Sequence, residues 1–256
     1  SGLTGIVGTF FVKDYLGLSA EFLAALLFWV NIPWALKMPL GHLVDLIWRY
    51  KAWLVFLGAG LIALSLLIMI GLLSQPDQMR DVMPLSAWYV ISALLAPVGY
   101  VVQDVVADAM TVEAVPRVDN AGQPVDPARL RLMHTTMQTL GRVAIVGGGI
   151  MVALLNVYKF SGVETMSEAD KALVYVEIFQ LALLIPLISV LGITLAGWLK
   201  LRKLAQLRGQ GYSSQQARDM IRGQVEQPAP NWWILIGSLV FVVITISIGL
   251  SELPYN

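Results

Sequence analysis

Asp104 and Asp108 interrupt an otherwise apolar stretch, four residues apart, the spacing that puts two side chains on one helix face. Lys37 and Arg142 break apolar runs in the same way, and Gln138 falls one turn before Arg142. Ionisable groups in such surroundings are costly and so are informative: they form ion pairs that hold helices together, carry protons, or bind a charged ligand. A carboxylate can take up a proton, and an ammonium or guanidinium can answer a carboxylate. Glu113 ends the same run as the two Asp residues and is read as facing water. A second pattern is Gly41-His-Leu-Val-Asp45-Leu-Ile-Trp-Arg49-Tyr-Lys51. Gly41 allows a tight exit from a helix, while Asp45 can pair with Arg49 and Lys51 or cap a neighbouring helix. His42, inside this stretch, is read as a solvated side chain.

Other chemistries find little support. The chain has no Cys and only two His, His42 and His134, which are far apart and lack metal-ligand spacing. No clustered polar loop suggests catalysis, so the expectation is no enzyme, no cofactor and no metal. A formal net charge of zero gives no reason to expect nucleic acid as a partner.

The elements that must position these residues follow from hydropathy. Hydrophobic residues make up 57% of the chain and charged ones 13%, with mean hydropathy +0.71, whereas about 25% charge is usual for a soluble domain. Six segments are long and apolar enough to cross a bilayer: roughly Phe22–Leu40, Ala52–Leu73, Ala87–Thr111, Met133–Val157, Leu173–Leu199 and Trp232–Leu250. Backbone polar groups must be satisfied within the segment, so these are helices, and no strand-like alternation competes. The apolar opening, Ser1 to Val12, reads as part of a further helix whose start is missing. The fold class is therefore an all-α polytopic membrane protein, a truncated one of about six and a half transmembrane helices.

Eleven Lys and Arg fall in the loops after the second, fourth and sixth helices, against four in the opposite loops, which puts the first set in the cytoplasm. The last of these loops is long, basic, and ends in Gln227-Pro-Ala-Pro230, with Ser213-x-x-Gln216 matching a capping box that opens a short surface helix. The expected organisation is an N-terminal bundle over 1–199, a central cytoplasmic loop over 200–231 and the first helix of a second bundle over 232–256. Charge depth also suggests that Asp104 and Arg142 face one another. Gly147-Gly-Gly149 is expected to permit close helix packing. Trp29, Trp34, Trp88 and Tyr100 are candidates for the interface with lipid or for stacking on a flat ligand, and Trp232-Trp233 for the interfacial belt.

The Gly41–Lys51 pattern resembles the loop signature of the major facilitator superfamily. Ile32-Pro-Trp-Ala-Leu-Lys-Met-Pro-Leu-Gly41, Phe11-Val-Lys-Asp-Tyr-Leu-Gly-Leu-Ser19 and Gln103-Asp-Val-Val-Ala-Asp-Ala-Met-Thr-Val-Glu113 are similar to the folate–biopterin transporter family, over roughly the first 115 residues. Met38 between Lys37 and Pro39, Val44, and the thin basic run at Arg49 and Lys51 depart from that family's usual pattern. The resemblance implies a major-facilitator-type bundle that moves a small organic, anionic solute across a lipid bilayer by alternating access. It implies an inner gate at Gly41, Asp45, Arg49 and Lys51. Lys37 or Arg142 would meet the solute's carboxylates, and Asp104 or Asp108 would couple to protons. The membrane would be the cytoplasmic membrane of a bacterium or that of an organelle. The rival readings are a permease for muropeptides or another amphiphilic anion, whose fourth helix is similarly acidic, and a non-transporting assembly factor on the same fold. The fifth helix lacks the Gly-Pro arrangement of drug/proton antiporters, which favours uptake or symport.

Overall fold

The computed structural model describes residues 19–47, 50–113, 115, 125–163, 166–217 and 230–251. The expected partial helix over Ser1–Val12, the Phe11–Leu18 part of the resemblance, Arg49 and Arg117 all lie outside these. The elements are α1 (Ala20–Ala35), α2 (Lys37–Leu46), α3 (Lys51–Ser74), α4 (Pro76–Val82), α5 (Leu85–Glu113), α6 (Pro127–Phe160), α7 (Glu168–Ala182), α8 (Leu184–Gly209) and α9 (Trp232–Ser251). No strand occurs among the described residues. Six helical stretches are long and apolar enough to cross a membrane: Glu21–Leu46, Lys51–Ser74, Leu85–Thr111, Pro127–Phe160, Asp170–Gly209 and Trp232–Ser251. The chain is an all-α, multi-pass membrane protein.

Local chemistry sets the helix ends. Ser19 accepts from the Phe22 N–H and Asp126 from those of Ala128 and Arg129, with Pro127 at the first helical position where no donor is needed. Ser213 and Gln216 bond reciprocally, side chain to backbone, as the capping box requires. Prolines set the interruptions. Pro39 cannot donate to the Ala35 carbonyl four residues back, nor Pro186 to that of Ala182, and the chain turns at Leu36 and Leu183, separating α1 from α2 and α7 from α8. The sequence reading had each of these pairs as one unbroken helix. Pro97 lies within α5, which continues through it.

Two further boundaries differ from expectation. Helix α2 runs on to Leu46, so Gly41 lies inside a helix and is not its exit. The reason is packing: Val44, 5% exposed, sits against Val55, Val101, Val105 and Val106 and holds the extra turn in place. Helix α8 continues ten residues past Leu199, through a run rich in Leu, Lys, Arg, Gln and Ala that favours helix. It ends beside Gly211, whose φ of +94° only glycine adopts without strain.

The core centres on α3 and α5. Toward the C-terminal end of α3, Ile62, Leu66, Met69 and Leu72 pack with Tyr175, Ile178, Phe179 and Ala182 of α7. Toward the N-terminal end of α3 lies the valine cluster just named. Between them α3 and α5 nearly touch. A Cβ on Gly99 would fall 2.7 Å from Ile62 Cγ1 and 2.8 Å from the Gly58 carbonyl, and one on Gly58 would fall 2.7 Å from Gln103 Cγ. One helical heptad away, Ser65 and Ser92 are both buried and each hydroxyl reaches the other's carbonyl, at 2.8 and 2.9 Å. Small residues let the backbones meet, and the serines satisfy each other where water is absent.

Candidate functional site

The turn at Leu36 makes Lys37 the first residue of α2 and presents it to α5. Its ammonium lies 2.5 Å from Asp104 Oδ2 and 2.9 Å from Asp108 Oδ2. The i, i+4 spacing on α5 thus places two carboxylates around one cation. The helix N-terminus is a poor place for a positive charge, so the carboxylates offset a local penalty as well as each other. The arrangement remains accessible, with Lys37 and Asp104 side chains about 40% and 37% exposed and that of Asp108 66%. One lysine cannot neutralise two carboxylates, and the group carries one excess negative charge.

Two cavities flank it. The first, about 630 Å³, is lined by Trp34, Ala35, Lys37, Gly41, Asp45 and Asp108 among others. The second, about 530 Å³, is lined by Trp34, Tyr100, Gln103, Asp104, Ser189 and Gly192 among others. Trp34 lines both. In the second, Ser189 of α8 donates to Gln103 Oε1 at 3.3 Å, while Gln103 Nε2 is buried with no hydrogen-bond partner among the described residues.

No family model, no curated protein and no solved structure matches the chain.

The structure brings together Lys37, Gly41, Asp45, Asp104 and Asp108 out of the residues singled out by sequence. Arg142 is not among them. It lies exposed on α6, and among the described residues no ion pair joins it to Asp104, whose partner is Lys37. The expected Asp104–Arg142 pair is therefore corrected. Depth along a helix constrains height in the membrane but not which side of the helix faces which neighbour, and α6 touches the rest of the bundle only sparingly. Lys51 begins α3, and Arg49 lies outside the described residues. The glycine run in α6 is a second correction. A Cβ on Gly147, Gly148 or Gly149 would meet nothing within 4 Å, whereas the close approaches belong to Gly58, Gly99 and Gly249.

The aromatic candidates divide. Trp34 and Tyr100 line the cavities, Trp88 donates to the Met79 carbonyl at 3.0 Å and ties α5 to α4, and Trp29 packs edge-on against Phe28 beside Gly249. Gln103 and Ser189 were not singled out by sequence. Gln103 stands next to Asp104 in the motif and could have been chosen on that ground, but Ser189 reaches the site only through the placement of α8. Among the described residues, no group of three His, Asp or Glu is placed to hold a metal ion.

Proposed function

We propose that this chain belongs to a secondary transporter of the major-facilitator type, moving a small organic anion together with protons by alternating access. The observation that carries the reading is one lysine held by two carboxylates, at a break in a transmembrane helix, on the wall between two cavities. Discontinuous membrane helices with ionisable groups at the break are a recurrent way of building a midplane binding site. Lys37 is the one cation lining these cavities among the described residues. While both carboxylates are ionised it is fully engaged and repels no proton. When Asp108, the more exposed and more distant acid, takes up a proton, the ammonium loses one of its two partners and can answer the carboxylate of a solute. Anion binding then requires proton binding, which is the linkage a symporter needs. Trp34 and Tyr100 offer flat apolar surface to the body of the solute, and the buried Gln103 amide offers a polar contact. Gly41 and Asp45, in the wall of the first cavity, stand on the cytoplasmic side of this site and serve as inner-gate residues with Arg49 and Lys51.

The test uses the full-length protein in proteoliposomes, with folic acid, a pterin and a muropeptide as labelled solutes. An inward proton gradient should drive accumulation of one of them. Asp108→Asn should abolish gradient-driven accumulation while leaving solute exchange at neutral pH, because Lys37 then permanently lacks one of its two partners. Lys37→Gln should abolish both. Gradient-driven accumulation that survives Asp108→Asn would exclude the coupling role, and no accumulation of any of the three by the parent protein would exclude the solute class.

A further inference from the structure

Among the described residues, helix α9 packs against α1 and α2. Near its outer end, a Cβ on Gly249 would fall 2.5 Å from Phe28 Cε1 and 3.1 Å from Trp29 Cζ2, so α9 lies directly against the aromatic face of α1. At its inner end, Asn231 caps α9 with its side chain, accepting from the Trp233 N–H at 3.1 Å. The cap leaves the backbone N–H of Asn231 itself available, and it donates to Nε2 of His42 on α2 at 3.0 Å. His42 is half-buried and Asn231 is exposed, so water and protons reach the contact.

A ring nitrogen that accepts a hydrogen bond carries no proton, so His42 is neutral here and bears its single N–H on Nδ1. Protonation turns Nε2 into a donor aimed at another donor. It also sets a cation at the positive end of the α9 macrodipole, and both effects act in one direction. The charged groups on the elements around His42, among the described residues, are Lys37 and Asp45 on its own helix and Asp104 and Asp108 on α5. The latter two are held by Lys37, and α9 brings no charge at all.

We propose that His42 and Asn231 form a proton-released latch between α2 and the inner end of α9, with the Gly249 contact as the pivot. At neutral pH the latch is closed, and on acidification the inner end of α9 separates from α2. The latch is independent of which solute passes, and its readout is a distance instead of a flux, so its failure is distinguishable from failure of the transport reading.

The chain has no Cys, so spin labels can be placed at Leu43→Cys and Trp233→Cys, both exposed positions, in the full-length protein in vesicles. Pulsed dipolar distances between pH 8 and pH 5, the range in which imidazoles titrate, should shift the closed-to-open ratio by about tenfold, the combined weight of one hydrogen bond and one helix-end charge. His42→Gln retains a neutral acceptor and should stay closed at both pH values. His42→Lys should be open at both. An unchanged distance in the parent protein, or the same pH response in His42→Gln, overturns the latch. Should the variants fail to fold, nitrogen-15 histidine spectra of the parent decide. With only two His in the chain, His134→Gln assigns the signals. The proposal requires the Nδ1–H tautomer for His42 at pH 8, and the Nε2–H tautomer would overturn it.

Discussion

Helices α5 and α6 are both long and apolar, and each carries a charge and a glycine in its middle, yet they are used in opposite ways. On α5, Val101, Val105 and Val106 are buried, Gly99 is pressed against α3, and Asp104 and Asp108 are paired. On α6, Asn156 is the one buried residue among those described, no glycine is close to another helix, and Arg142 is exposed. The ion pair between Lys159 and Glu177, at 2.6 Å, and the ring contact of Phe160 with Tyr175 link α6 to its neighbour α7. Composition alone does not separate these helices. What separates them is whether the partner surface brings complementary small residues and charges to the same height.

The comparison breaks most sharply at Gly99. Gly99→Leu places a side chain into Ile62 and the Gly58 carbonyl, where backbone cannot yield, and should cost about 3 kcal/mol or more. Reversible SDS unfolding would read it, and a loss under about 1 kcal/mol would mean that α3 and α5 do not meet as closely as described. Ser65→Ala leaves Ser92 without its buried hydroxyl partner and should cost about 1–2 kcal/mol in the same assay. Lys159→Ala, on the other side of the comparison, removes a half-exposed pair and should cost less than about 1 kcal/mol. Gly148→Ala in α6 should be neutral or stabilising by up to about 1 kcal/mol, since the added methyl meets nothing and helix propensity improves. A marked destabilisation there would reveal a packing partner for α6 and would bring the two helices closer in kind.

These contrasts also sort what sequence reading can reach. The six spans were legible because twenty or so apolar residues need no partner to declare themselves. The capping box at Ser213 and Gln216 was legible because its bonds join residues three apart. The breaks at Leu36 and Leu183 could have been read from Pro39 and Pro186, since the missing donor acts on the residue four before it, but a proline in a membrane span does not always break it, as Pro97 shows. The pairing of Asp104 was misassigned because hydropathy gives depth and no rotation. The glycines were misassigned because three in a row look more deliberate than Gly58 and Gly99 standing singly in two different helices.

The sequence by itself determined that this is a helical, multi-pass membrane protein, where its apolar spans lie, and which ionisable residues lie within the spans. These depend on interactions of a residue with its near neighbours and with the solvent around it. The tertiary structure alone decided that Lys37 answers both Asp104 and Asp108, that Gly58 faces Gly99, and that His42 receives the N–H of Asn231. Each of these joins residues remote in the chain. It depends on the rotation of one helix about its axis, which hundreds of weak packing contacts fix together and no short stretch of sequence encodes.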